Sequence, residues 1–283
     1  MPHTSPSQQA PYSLATGSAA VRRLRALHEI YSPVGRRVLL QAGLKEGMHV
    51  ADFGCGVGMV TRMLAEIVGP AGAVTGIDIS TAQVEQAREI SAREGFRNVT
   101  FREASACESG LPRASFDLVY CRFLLLHLPD PAACLQEMLA VLKPNGVLVV
   151  EDGDLTSAMS QPPTAQNAFA DLFGRLGPTR GLDYSMAKNL LALVKASGLQ
   201  NLSIEIHQPA LVSGACRYLL KWSVEEAGDS FVNAGLITAA DLARTLIEMQ
   251  EVIDNPDVLI LGPKMSLVTG NKPASDPSGS THP

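Results

Sequence analysis

Three glycines and an acid stand together in the stretch 49–58, where an apolar run leads into a glycine-rich turn and then into a helical pattern: Asp52, Gly54, Gly56 and Gly58. Glycine tolerates positive φ angles and lets a ligand approach the backbone, because it has no Cβ. The helix that follows directs its N–H groups and positive dipole end towards the turn. The pattern predicts a site for a small anionic or nucleoside ligand at the carboxyl ends of the strands.

The spacing of these glycines argues against a dinucleotide. A dinucleotide-binding loop has the pattern G-x-G-x-x-G, which from Gly54 would need a glycine where this chain has Met59. The acid Asp52 precedes the turn, where it can help hold an ammonium group and would repel a pyrophosphate. A second acid, Asp78, ends the next apolar run, where a carboxylate can accept hydrogen bonds from two ribose hydroxyls. A nicotinamide oxidoreductase is therefore a disfavoured alternative.

Short β-branched runs alternate with amphipathic stretches through the middle of the chain. The runs predict strands at 48–53, 73–79, 98–104, 116–121 and 147–153, and the stretches between them predict helices at 58–68, 81–94 and 131–142. Alternation of strand and helix is typical of βαβ units. We therefore expect an α/β fold with a parallel sheet that is covered by helices on both faces.

The regions on either side of this core have a different texture. Apolar residues at helical spacing predict two helices between 18 and 44, interrupted at Pro33. Beyond residue 154, helices are predicted at 163–177, 184–197, 214–227 and 238–253, and strands at 201–207 and 264–270. The predicted organisation is a disordered arm at 1–15, N-terminal helices at 16–44, a core at 45–155, the end of the core with helical insertions at 156–262, a last strand at 263–271 and a disordered tail at 272–283.

Composition excludes several classes of protein. The 23 Lys and Arg against 28 Asp and Glu give a net charge of -5 without a basic cluster, which argues against nucleic-acid binding. No stretch approaches the roughly 20 apolar residues of a membrane span, and the polar start of the chain does not resemble a secretory signal. The 5 cysteines are an odd number without a C-x-x-C pair, which favours reduced thiols and no bound metal. We expect a cytoplasmic protein without membrane insertion.

Five motifs in series resemble those of one enzyme family. They are Val50–Gly58, Gly76–Ile79, Leu111–Tyr120, His127–Pro131 and Leu142–Gly146. In order and spacing they are similar to the class I S-adenosylmethionine-dependent methyltransferases, of the small-molecule type similar to the ubiquinone/menaquinone biosynthesis methyltransferases. The resemblance implies a Rossmann-like doubly wound sheet, mostly parallel with the last strand antiparallel, preceded by N-terminal helices and carrying helical insertions as a substrate lid.

The resemblance also implies roles for single residues toward S-adenosylmethionine. The three glycines would pack against its methionine part and ribose, Asp52 would help hold its amino group, and Asp78 would bind the ribose hydroxyls. Ile79 would lie beside the adenine, and Ser105 stands where relatives commonly have an aspartate that reads the adenine amine. The backbone after the fourth strand would lie near the transferred methyl group. The implied cofactor residues are Asp52, Gly54, Cys55, Gly56, Gly58, Asp78, Ile79, Ser105, Ala106, Cys121 and Arg122.

Catalytic candidates follow the fourth and fifth strands. His127 could act as a general base for a protonated acceptor or could only pack the loop, and relatives often carry a histidine here without using it as a base. Glu151, Asp152 and Asp154 lie at the same sheet edge, either near the substrate or as solvated loop carboxylates. The aromatic and histidine residues that could line an acceptor pocket are Tyr12, His28, Tyr31, Tyr184, Tyr218 and Trp222.

The function that these residues imply is transfer of a methyl group from S-adenosylmethionine to a small, partly apolar metabolite. Methyl transfer is an in-line displacement in which positioning supplies much of the rate. The accepting atom can be oxygen, nitrogen or carbon. The alternative is a protein that binds S-adenosylmethionine without turnover and acts as a regulatory or accessory partner. The apolar lid helices also offer a face for a homodimer.

Overall fold

The computed structural model describes residues 21–274. The strands formed in this range are β1 (His49–Phe53), β2 (Ala73–Asp78), β3 (Val99–Glu103), β4 (Phe116–Arg122), β5 (Leu142–Asp154), β6 (Met159–Gln161), β7 (Gln200–His207), β8 (Leu259–Leu261) and β9 (Lys264–Asn271). The helices are α1 (Val21–Gln41), α2 (Met59–Val68), α3 (Thr81–Arg93), α4 (Pro131–Val141), α5 (Ala168–Thr179), α6 (Leu190–Ala196), α7 (Leu219–Glu226), α8 (Gly228–Asn233) and α9 (Ala239–Asp254).

Seven of the strands form one sheet in the order β3-β2-β1-β4-β5-β9-β7. Strands β1 to β5 pair in parallel, whereas β9 is antiparallel to both of its neighbours, β5 and β7. The predicted Rossmann-like fold with an antiparallel last strand is confirmed. A second sheet of two short strands, β6 and β8, was not predicted from the sequence.

The burial of the central strand β4 shows that the sheet is covered on both faces. Its successive residues Leu118, Val119, Tyr120 and Cys121 are all fully buried, although their side chains alternate between the two faces. Because β1, β2, β4 and β5 run in parallel, their carboxyl ends meet at one edge of the sheet. The residues that follow these strands are therefore brought to a common site.

One long helix, α1, stands where the sequence predicted two. Pro33 lies inside it, at the cost of one backbone hydrogen bond. Tyr31 and Leu39, on either side of the proline, are buried in the core, and this packing offsets the loss. A Cβ on Gly35 would lie 2.5 Å from the Oε1 atom of Glu151, so the helix lies directly against the sheet.

Strand β5 also differs from the prediction, because it begins at Leu142 rather than at residue 147. Residues 143–146, which lie between the predicted helix and the predicted strand, are incorporated into the strand, with a register shift between Phe116 and Leu118 of the paired strand β4. Asn145 there has a φ of 62°, a left-handed conformation that asparagine tolerates better than most residues. No helix in the described part of the chain is both long enough and apolar enough to cross a membrane.

A buried arginine holds the end of α9 against the rest of the C-terminal half. The guanidinium of Arg217 donates to the carbonyl oxygens of Ile253 at 2.9 Å and of Asn255 at 2.8 Å, and to that of Val252 at 3.1 Å. The last carbonyls of a helix have no partner within the helix, and they carry the negative end of its dipole. Arg217 therefore satisfies several acceptors at once.

We expect Arg217→Met to lower the stability of the fold markedly. It leaves buried carbonyl groups without donors, which costs about 2–4 kcal/mol, or roughly 4–16 °C in Tm for a domain of this size. Thermal unfolding followed by circular dichroism measures the loss. Arg244→Met is the matched control, because Arg244 also belongs to this region but pairs on the surface with Asp241, and its Tm should stay within about 2 °C. Equal losses in both variants would contradict the structural role of Arg217.

Candidate functional site

The glycine-rich turn between β1 and α2 lies at the carboxyl edge of the sheet. Gly54, Gly56 and Gly58 have φ angles of 72°, 54° and 74°, a left-handed region that other residues rarely adopt. A Cβ on Gly54 would lie 2.9 Å from a side-chain carbon of Leu124, and one on Gly58 would lie 2.7 Å from the ring of Phe101. The turn therefore requires glycine for its backbone conformation and for close packing.

Asp78, at the end of β2, holds this turn in place. Its Oδ2 atom accepts a hydrogen bond from the backbone N–H of Gly56 at 2.9 Å, and its Oδ1 atom accepts one from Ser80 at 2.9 Å. Burial raises the pKa of Asp78, while both of these hydrogen bonds oppose the rise. Each carboxylate oxygen keeps a further lone pair, so the group can still accept hydrogen bonds from a ligand in the cavity that it lines.

Asp52, on β1, is the second carboxyl group at this cavity. It is 2% exposed, and its Oδ2 atom accepts a hydrogen bond from the hydroxyl of Thr61 at 2.6 Å. Burial raises its pKa to about 7, against the opposing effects of Thr61 and of the charge on Arg122. A ligand ammonium group beside Asp52 would favour the ionised form.

A single cavity gathers most of the predicted cofactor residues. The predicted cofactor residues at its wall form what we call the sheet side: Asp52, Gly54, Cys55, Gly56, Asp78, Ile79, Ser105, Ala106 and Arg122. Ile79 is 61% exposed, although it is apolar, so it offers a flat hydrophobic contact. The hydroxyl of Ser105 already accepts from the N–H of Cys107 at 3.2 Å and keeps one lone pair and its proton for a ligand.

Two predicted cofactor residues do not line the cavity. Cys121 is fully buried in β4, and burial raises the pKa of its thiol well above the ordinary value. Gly58 faces α3 and β3, where Phe101 and Ala87 approach it. Its role in the structure is close packing behind the turn.

Three helices form the opposite wall of the cavity, which we call the helical side. Its residues are Arg23, Leu24 and Leu27 from α1, Phe169 and Phe173 from α5, and Leu219 and Ser223 from α7. None of these residues was predicted from the sequence as a site residue. The only available signal was helical periodicity, which shows that a residue belongs to an apolar face but not which cavity that face meets.

His127 lies in a short 3₁₀ turn after β4 and lines the cavity. Burial lowers its pKa to about 3, and the positive charge of Arg23 adds to this effect. Its ring meets that of Tyr184 edge to face, with centroids 5.7 Å apart. The imidazole is therefore neutral at physiological pH.

The three acids Glu151, Asp152 and Asp154 lie in β5 and are buried rather than solvated. The Oδ2 atom of Asp152 accepts hydrogen bonds from the N–H groups of Leu125 at 2.7 Å and Leu126 at 3.3 Å, so it holds the turn that carries His127. Asp154 accepts from Thr156. Glu151 is 1% exposed, and burial raises its pKa to about 7. The alternative of solvated loop carboxylates is corrected.

Of the residues predicted to line an acceptor pocket, those in the described range do not line the cavity. The hydroxyl of Tyr31 donates to the carbonyl of Pro263 at 2.8 Å, and the Nδ1 atom of His28 is hydrogen-bonded to Ser32 at 2.9 Å. Tyr218 stacks on Trp222 with centroids 5.2 Å apart, outside the cavity wall. Of the remaining two, Tyr184 packs behind Phe173 and His127, and Tyr12 lies outside the described residues.

Comparison with known proteins agrees with this geometry. The model of a family described as a methyltransferase domain matches residues 44–191, just over half of the chain. An aklanonic acid methyltransferase from Streptomyces sp. is 36% identical over 118 residues, which are 42% of this chain and 54% of that protein. A demethylmenaquinone methyltransferase from Staphylococcus aureus is 33% identical over 153 residues, 54% of this chain and 61% of that protein. The chain thus spans between half and two thirds of the length of these curated relatives.

A solved structure supports the fold. The crystal structure of a SAM-dependent methyltransferase from Aquifex aeolicus has a TM-score of 0.51 at 24% identity and covers 70% of this chain and 93% of that one. The sheet order, the glycine-rich turn held by Asp78 and the match to the family model lead to one conclusion: the chain belongs to the methyltransferase-domain family of class I S-adenosylmethionine-dependent methyltransferases.

Proposed function

We propose that the protein transfers a methyl group from S-adenosylmethionine to a small, partly apolar acceptor. The observation that carries the proposal is one cavity in which Asp52 and Asp78 stand on the sheet side and apolar side chains stand on the helical side. A carboxylate at the end of each of two adjacent parallel strands suits a nucleoside that bears an ammonium group. The apolar wall suits a hydrophobic acceptor.

The residues of the sheet side fit the cofactor. Asp78 would accept hydrogen bonds from the ribose hydroxyls, Asp52 would hold the ammonium group, and Ile79 would cover one face of the adenine. S-adenosylmethionine supplies an electrophilic methyl group on a sulfonium. The chain's own contribution is to orient the cofactor and the acceptor in line and to exclude water, which lowers the barrier through positioning.

The helical side supports a small organic acceptor rather than a macromolecule. Its leucine and phenylalanine side chains come from α1, α5 and α7 and line the same cavity as the sheet side. Two relatives are named for methyl transfer to aklanonic acid and demethylmenaquinone, and these names favour a small-molecule acceptor here as well. The accepting atom is left open among oxygen, nitrogen and carbon.

Calorimetry and a transfer assay test the proposal in sequence. Titration with S-adenosylmethionine, S-adenosylhomocysteine and NAD should show binding of the first two only. Incubation of a metabolite extract with methyl-labelled S-adenosylmethionine should then yield a labelled product with the natural protein and not with Asp78→Ala. Binding of NAD alone would overturn the assignment of the cofactor. Binding of S-adenosylmethionine without transfer to any metabolite would favour a regulatory binding protein.

The pKa of His127 bears on its predicted role as a base. A general base works best when its pKa lies near the working pH, and burial lowers the pKa of this imidazole to about 3. The ring therefore keeps one protonation state between pH 6 and pH 10. This favours an acceptor that arrives already unprotonated at the attacking atom.

We expect His127→Ala to reduce kcat by less than about tenfold, against the roughly 10²–10⁴ that a general base contributes. The ratio of kcat for the natural protein to kcat for the variant should stay constant from pH 6 to pH 10. A pH–rate profile of both proteins measures it, with Tm recorded to detect loss of packing against Tyr184. A larger loss that shrinks as the pH rises would instead establish His127 as the base, because a deprotonated acceptor no longer needs one.

A further inference from the structure

A buried ion pair joins α1 to α7 beside the cavity. The Nε atom of Arg23 donates to the Oε2 atom of Glu226 at 2.7 Å, and the two side chains are 3% and 6% exposed. The neighbouring pair, Arg22 and Glu225, has the same distance, but its side chains are 53% and 43% exposed. The two helices therefore carry one ion pair in solvent and one inside the protein.

The buried pair is incompletely satisfied. Within residues 21–274, the Nη2 atom of Arg23 and the Oε1 atom of Glu226 are both buried and have no hydrogen-bond partner. A buried donor without a partner lowers the stability of the fold more when its group is charged than when it is neutral. Native proteins rarely leave such groups unpaired without a reason. Arg23 lines the cavity, whereas Glu226 is not among the described residues at its wall. The unpaired donor therefore belongs to a side chain that lines the cavity.

The surroundings of Arg23 offer a ligand little else that is polar. The other residues of the helical side are Leu24, Leu27, Phe169, Phe173 and Leu219, which are apolar, and Ser223, whose hydroxyl already donates to the carbonyl of Leu219 at 2.8 Å. The charge of Arg23 also reaches across to His127, whose pKa it helps to lower. Arg23 is therefore the one cationic side chain among the residues of the helical side.

We propose that Nη2 of Arg23 binds an ionised oxygen of the acceptor, which makes the acceptor an apolar molecule that carries one acidic oxygen group, such as a carboxylate, an enolate or a phenolate. This inference rests on the proposed function, because the acceptor must lie beside the bound cofactor. Glu226 neutralises Arg23 from behind, and the sulfonium of the cofactor supplies the second positive charge that offsets the anion. A hydrogen bond to a charged oxygen would also satisfy the buried donor.

A matched pair of small ligands tests the charge of the group that binds. Sinefungin, an unreactive cationic analogue of the cofactor, is titrated first. The sinefungin complex is then titrated with 2-naphthoate and with its neutral counterpart, 2-naphthamide. We expect at least tenfold tighter binding of the carboxylate, because a hydrogen bond to an ionised oxygen is stronger than one to a neutral amide oxygen.

Variants of both ion pairs distinguish recognition of the carboxylate by Arg23 from a purely structural role of the pair. Arg23→Gln should remove the preference for the carboxylate, Arg22→Gln should leave it unchanged, and Glu226→Gln should strengthen it, because Arg23 then lacks its counter-ion. The double variant Arg23→Gln/Glu226→Gln keeps a neutral hydrogen-bonded pair and should fold while lacking the preference for the carboxylate. A merely structural ion pair would instead make the two single variants at 23 and 226 lose stability alike, with no opposite effect on the preference.

The outcomes distinguish this inference from the proposed function. Failure of sinefungin to bind would count against the cofactor assignment itself. Binding of sinefungin together with equal affinity for both naphthalene probes, or with no affinity for either, would overturn the role of Arg23 alone. Retention of the carboxylate preference in Arg23→Gln would overturn it as well.

Discussion

Replacing Asp78 with alanine should raise the dissociation constant for S-adenosylmethionine at least tenfold, and roughly 100-fold if two charge-assisted hydrogen bonds of about 1.5 kcal/mol each are lost. The carboxylate has two roles that the variant removes together. It would accept hydrogen bonds from the ribose, and it accepts the N–H groups of Gly56 and Ser80. Isothermal titration calorimetry measures the change directly.

The control for this variant is Asp117→Ala. Asp117 is also a carboxylate of the sheet, but it lies at the start of β4, at the opposite edge, where it pairs with Lys143 at 2.7 Å and accepts from the N–H of His49. Its loss should affect stability and leave cofactor affinity unchanged. An unchanged affinity in Asp78→Ala would refute the assignment of Asp78 to the ribose.

Gly56→Val should abolish detectable binding of S-adenosylmethionine while the sheet stays folded. At a φ of 54° a β-branched side chain is strained, and its Cβ would lie 3.0 Å from the Oε1 atom of Gln83. The side chain would also occupy the wall of the cavity that the cofactor approaches. The expected result is no measurable heat on titration, with a circular dichroism spectrum like that of the natural protein.

Gly181→Val isolates the effect of backbone strain from the effect on the site. Gly181 has a φ of 66°, and nothing lies within 4 Å of a Cβ built there. It follows α5, away from the sheet side of the cavity. This variant should lose a similar amount of stability to strain, about 1–2 kcal/mol, and should keep full affinity. If Gly56→Val folds and still binds, the glycine-rich stretch is only a turn.

The sheet side of the cavity could be predicted from the sequence because its determinants are local. Each strand ends in the residue that reaches the site, and the parallel sheet brings these ends to one edge. Asp52 and Asp78 were found in this way, and both line the cavity. Gly58 was selected from the glycine-rich turn and Cys121 only through the resemblance to the family; both are buried, and neither lines the cavity.

The sequence by itself determined the alternation of strands and helices, the glycine-rich turn and the two acids, since these follow from patterns within a few residues of each other. Only the tertiary structure decided which residues of the helices line the cavity. Arg23 and Glu226 form one buried pair although 203 positions separate them, and Tyr31 does not line the cavity but donates its hydroxyl to the carbonyl of Pro263. Helical periodicity fixes the direction of a side chain relative to its own helix, but the neighbours that it meets depend on how separate helices pack over the sheet.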